Sequence, residues 1–112
     1  MLNYQQTRTG TPTRMAQASL SASPAAIYTA TSNQRAAITD ILICNTTASD
    51  LTVDLYVGSA ATTSEAILYG ATVSANSTLS MTGFVVMNGG DTITGTGSAV
   101  GLTATISGME DI

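Results

Sequence analysis

The stretch "LTVDLYV" at 51–57 alternates strictly. Leu51, Val53, Leu55 and Val57 share one face, and Thr52, Asp54 and Tyr56 share the other. A period of two with one apolar face marks a half-buried β-strand. Related apolar runs recur along the chain. They predict strands at 26–30 ("AIYTA"), 35–45 ("RAAITDILICN"), 51–57, 65–73 ("EAILYGATV", broken by Gly70), 77–87 ("STLSMTGFVVM"), 92–97 ("TITGTG") and 100–108 ("VGLTATISG"). Between them, "NTTASD" (45–50) and "NGGD" (88–91) concentrate residues that tolerate tight turns, and the second predicts a hairpin. Nowhere do helix formers recur at spacings of three and four. Short strands separated by turn signals every ten or so residues predict an all-β fold: an antiparallel β-sandwich or jelly-roll-like domain of about seven or eight strands.

Residues 1–24 show neither period. Turn formers and scattered apolar residues there predict an extended N-terminal arm, with the sandwich domain occupying 25–112.

Two strands depart from simple alternation. In 35–45, Ile38, Leu42 and Cys44 are expected on one face, with Ile41 and Ile43 on the other. In 77–87, Phe84 and Val86 oppose Val85 and Met87. A strand apolar on both faces is covered on both. Ile41, Ile43, Phe84 and Val86 are therefore the expected oligomer interface, and a loop folded over them is the plainer alternative.

Composition sharpens this picture. The 112-residue chain is 44% hydrophobic, enough for a core, but only 9% charged, against about 25% in ordinary soluble domains. Ser, Thr, Ala and Gly take the place of Lys and Glu, which suits a subunit packed in an assembly. The net charge of −4 is unevenly placed: residues 1–35 hold Arg8, Arg14, Arg35 and no acid, and every acid lies after them. Arginine without lysine favours planar pairing with carboxylates. Arg8 and Arg14, with Tyr4, are the expected partner contacts of the arm. Three bases are too few for a nucleic-acid stripe, so no nucleic-acid partner is expected.

The chemistry-bearing residues are sparse. Without His or Lys there is no base for a nucleophile. Seven carboxylates and 4% aromatics without Trp make a poor glycosidase. No enzymatic activity, catalytic residue, cofactor or metal site is expected; zinc lacks its ligands, and "NTTASD" and "NGGD" read as turns rather than calcium loops. "GTGSAVG" (95–101) joins two strands and opens no helix, so it is no phosphate cradle. Cys44 is alone, and in "ILIC" a buried thiol is the default reading. Among the tyrosines, Tyr56 is the best candidate for a contact, from the polar face of its strand. No stretch is long and apolar enough to span a bilayer, and the start lacks the apolar core of a secretion signal. No membrane partner is expected.

The body, from "IYTA" through "ILICNTT", "LTVDLYV" and "ILYGATVSANSTLSMTGFVVMNGGDTI" to "SGMED", resembles small β-sandwich virion proteins of tailed bacteriophages. The likeness covers about three-quarters of the chain and consists of strand and turn patterns. It implies a virion component. The basic arm, the charge split and the low charge then favour a capsid decoration or cement protein, made in the host cytoplasm and used on the capsid surface, that binds the major capsid protein through its arm. It would act as a homo-oligomer, with a trimer favoured over a dimer. The alternative is a tail or fibre component, including a host-surface-binding module, which would cluster exposed aromatics.

Overall fold

Eight antiparallel strands make two four-stranded sheets in the computed structural model, which describes residues 13–60 and 62–111, the side chains of Phe84 and Asp111 excepted. In chain order they are β1 (Thr13–Leu20), β2 (Ala25–Thr29), β3 (Arg35–Asn45), β4 (Leu51–Gly58), β5 (Ala66–Val73), β6 (Thr78–Met87), β7 (Thr92–Gly97) and β8 (Leu102–Asp111). The first sheet has the order β1-β8-β3-β6 and the second β2-β7-β4-β5. The chain changes sheet at every connection except β4 to β5. That interleaving is the eight-stranded jelly roll, a β-sandwich built from two Greek keys.

Between the sheets lies one core. Ile38, Ile41, Ile43, Met87, Leu102 and Ile106 of the first sheet face Val53, Leu55, Val73 and Ile93 of the second, all at most 1% exposed. Burying a side chain of this size contributes about 1.5–3 kcal/mol. The strict alternation of β4 and β8 follows directly from having one face on this core and one on solvent. Gly95 sits where a Cβ would meet Leu20, Ile27 and Leu55, so the sheets approach closely there.

Three expectations need correcting. First, the arm does not run to residue 24. Thr13–Leu20 is the edge strand β1, paired along β8, and Leu20 is 3% exposed in the core. Second, Ile41 and Ile43 are not on an outer face, because each is 1% exposed in the core beside Ile38. The register of β3 against both neighbours shifts between Ile38 and Asp40. This bulge at Thr39 reverses the parity of the strand, so that Ile38, Ile41 and Ile43 all point inward, and Leu42 and Cys44 point out. Cys44 is correspondingly half-buried, not enclosed. Third, "NGGD" makes a tight turn but not a hairpin. Asp91 N donates to Asn88 O at 3.0 Å, and Asn88 N to Asp91 Oδ2 at 3.0 Å, yet β6 and β7 belong to different sheets. The turn is an arch across the sandwich.

Candidate binding surfaces

Polar side chains lock the two ends of the sandwich. At one end, Asn45 closes β3 and is the buried polar residue among those described, 1% exposed. Its amide donates to Ser49 O at 2.8 Å and Val73 O at 2.9 Å. Its Oδ1 accepts from Thr47 N at 2.9 Å and Thr47 Oγ1 at 2.7 Å. Both N–H donors and both lone pairs of the amide are thus engaged on the protein itself. Asp50 Oδ1 accepts from Ala75 N at 2.9 Å. The side chains of "NTTASD" therefore shape the loop.

At the other end, the Tyr28 hydroxyl of β2 donates to Glu110 Oε2 of β8 at 2.5 Å, tying one sheet to the other. Thr31 N and Thr31 Oγ1 reach the same oxygen at 3.3 Å. Burial first, and then the Glu110 carboxylate, push the Tyr28 phenol above its ordinary range. Glu110 is held below its ordinary value, mainly by the Tyr28 hydroxyl and then by the Thr31 amide. The arrangement is an inter-sheet clamp.

The outer face of the first sheet is mostly hydroxyls: Thr103, Thr105 and Ser107 of β8 lie opposite Ser19, Gln17 and Arg14 of β1. Among the described residues, two large apolar side chains stand exposed on it, Leu42 of β3 (41%) and Val86 of β6 (60%). Where β3 bulges against β6, a depression of about 250 Å³ is lined by Thr39, Asp40, Met81, Thr82 and Val85 among others. Of the predicted interface, Val86 is on the outside, Ile41 and Ile43 are inside, and the Phe84 side chain lies outside the described residues. Of the predicted arm contacts, Tyr4 and Arg8 lie outside the described residues. Arg14 is exposed near the start of β1.

The second sheet carries a grouping that no sequence motif announces. On its outer face, Asp54 and Tyr56 of β4 stand beside Thr96 and Thr94 of β7. On the other flank, β5 carries an extra residue between Leu68 and Ala71, where Leu55 and Val53 pair with it. Gly70, with φ of 64°, takes up the left-handed backbone that this bulge needs, and its N–H donates to Asp54 Oδ1 at 2.6 Å. Tyr69 is thereby turned outward, 67% exposed. Tyr56 is close enough to Asp54 and Tyr69 that their negative charge, after burial, raises its phenol.

Among the described residues no three His, Cys, Asp or Glu side chains gather as a metal site, and no helix is long and apolar enough to cross a membrane. No protein family, curated protein or solved structure matches this chain.

Proposed function

We propose that this chain is a structural protein of a bacteriophage virion that decorates the outside of the head shell, acting as a homo-oligomer on the major capsid protein. The exposed Leu42 and Val86 on a sheet face that is mostly polar carry the reading, because apolar side chains on a strand surface are suited to burial against another subunit. The resemblance of "ILICNTT" and "SGMED" to phage virion proteins gives the setting. Jelly rolls serve in viral capsids and also in lectins, so the fold alone favours neither. Low charge fits a subunit held in place by many weak contacts repeated by symmetry.

Residues 1–12, with Tyr4 and Arg8, precede the edge strand β1 and are the segment assigned to neighbouring capsid subunits, Arg8 pairing with their carboxylates. The experiment is reconstitution onto heads that lack the protein. The full chain is expected to saturate a fixed number of sites, and a form lacking residues 2–12 to bind weakly. Equal occupancy by both forms would remove the arm from the account, and no binding by either would remove the capsid.

A further inference from the structure

The geometry points to a glycan-binding site on the outer face of the second sheet, built from Tyr56, Tyr69 and Asp54, whose ligand is a neutral polysaccharide. Three observations carry it. The first is the convergence of two half- or largely exposed tyrosines. They come from different strands and meet on one face because the Gly70 bulge turns Tyr69 outward. Tyr69 and Asp54 are close enough to Tyr56 to act on its phenol, and diagonal neighbours in regular paired strands stand about 7–8 Å apart. That spacing lets two rings contact one sugar residue or two successive ones, each sugar laying its C–H face on a ring.

The second observation is the carboxylate beside them. Asp54 Oδ1 is held by the Gly70 amide at 2.6 Å, which fixes the side chain. Among the described residues Oδ2 has no hydrogen-bond partner, so it is free to accept from sugar hydroxyls. Thr94 and Thr96, paired with Tyr56 and Asp54, add hydroxyls that both donate and accept.

The third is charge. The strands of this sheet contain no Lys or Arg, and Asp54 is their one charged residue. Phosphate, sulfate or carboxylate on a polymer would meet a lone carboxylate and no cation. A chain of uncharged hexoses meets stacking surfaces and acceptors for its hydroxyls, which is what the face offers. This site is independent of the head-shell reading, since it lies on the sheet opposite the one bearing Leu42 and Val86.

The test titrates the purified full-length chain with cellohexaose, laminarihexaose and maltohexaose, followed by calorimetry and by tyrosine ring signals in NMR spectra. Binding of at least one is expected. Tyr69→Ala and Tyr56→Ala are each expected to weaken it about three- to tenfold, the range for loss of one stacking contact. Asp54→Asn is expected to weaken it as well while retaining an acceptor for the Gly70 amide. Val100→Ser, in the loop between β7 and β8, is expected to bind as the unaltered chain does. Far-ultraviolet circular dichroism confirms that each variant is folded; Tyr69 projects into solvent, so its loss leaves the core intact. No binding of any of the three sugars, or undiminished binding by folded Tyr69→Ala and Tyr56→Ala, overturns the proposal.

Discussion

Gly108 of β8 lies directly against the carbonyl of Ala37 in β3. A Cβ built on it would stand 2.1 Å from Ala37 O and 2.9 Å from Ile38 Cα. The close approach occurs where β3 bulges at Thr39, and that bulge determines which isoleucines face the core. Both obstructing atoms are backbone, so no rotamer change relieves the clash. Gly108→Ala is expected to cost about 3 kcal/mol or more, at the upper end of overpacking. Urea unfolding of the variant measures it. An unchanged midpoint would mean that β3 and β8 are farther apart than described.

Asn45 supports a second prediction. Asn45→Ala removes the partner of two carbonyls and of the Thr47 amide and hydroxyl, deep at one end of the sandwich. The expected loss is about 2–4 kcal/mol, because buried groups left without partners bear their full desolvation cost. Asn45→Asp is expected to fail as badly, since a carboxylate cannot donate to Ser49 O and Val73 O. Thermal melting of both variants provides the comparison.

The clamp between Tyr28 and Glu110 makes stability depend on pH in a defined direction. Glu110 is held below 4.5 in the folded chain, chiefly by the Tyr28 hydroxyl. A carboxyl with a lowered folded pKa stabilises above its unfolded value and loses that contribution as pH falls through the folded one. Tyr28 has the opposite sign. Its raised pKa stabilises below 10.0, and the contribution is lost as pH rises beyond it. Tyr28→Phe is therefore expected to flatten both limbs, reducing the acid loss below 4.5 and the alkaline loss above 10.0. Urea midpoints across pH read this directly, and parallel profiles for the two proteins would contradict it.

How much of this was legible in the sequence depends on the local regularity of each strand. β4 and β8 alternate without interruption, and both are plain in the pattern. β1 was not, because a register shift between Arg14 and Ala16 breaks its period, and as an edge strand it commits few side chains to the core. The spacing Ile38, Ile41, Ile43 looks two-faced when the strand is taken as regular. Three then two is what a bulged strand looks like when all three residues point inward, and Gly108 on the partner strand is the companion signal. The pairing of Tyr56 with Tyr69 depends on the bulge at Gly70. The break at Gly70 was visible, but its consequence for Tyr69 was not. "NGGD" specified a turn correctly, but a four-residue turn does not say which sheet the chain enters next.

The boundary of the fold gives a fourth prediction. Removing residues 2–12 leaves β1 whole, and the variant is expected to unfold at the urea midpoint of the full chain. Removing residues 2–20 strips an edge strand and the buried Leu20, and is expected to yield a chain that is unfolded or aggregated, as judged by circular dichroism. A stable sandwich without β1 would restore the longer arm.

The exposed apolar residues give a fifth. A charge at Leu42 or Val86 would be buried without a partner in any assembly that covers this face. With the homo-oligomer proposed above formed through this face, Leu42→Asp and Val86→Asp are expected to sediment as monomer where the unaltered chain sediments as oligomer, while the melting curve of the isolated fold stays nearly unchanged. Retention of the oligomer by both would place its interface elsewhere.

We propose that this protein acts by occupying a place on a phage head. Cryogenic electron microscopy of intact particles, compared with particles in which the gene is disrupted, is the decisive experiment. Jelly-roll density is expected at repeated positions on the outer shell and is expected to be missing from the disrupted particles. Identical heads in the two preparations, or density for this chain confined to the tail, would contradict it.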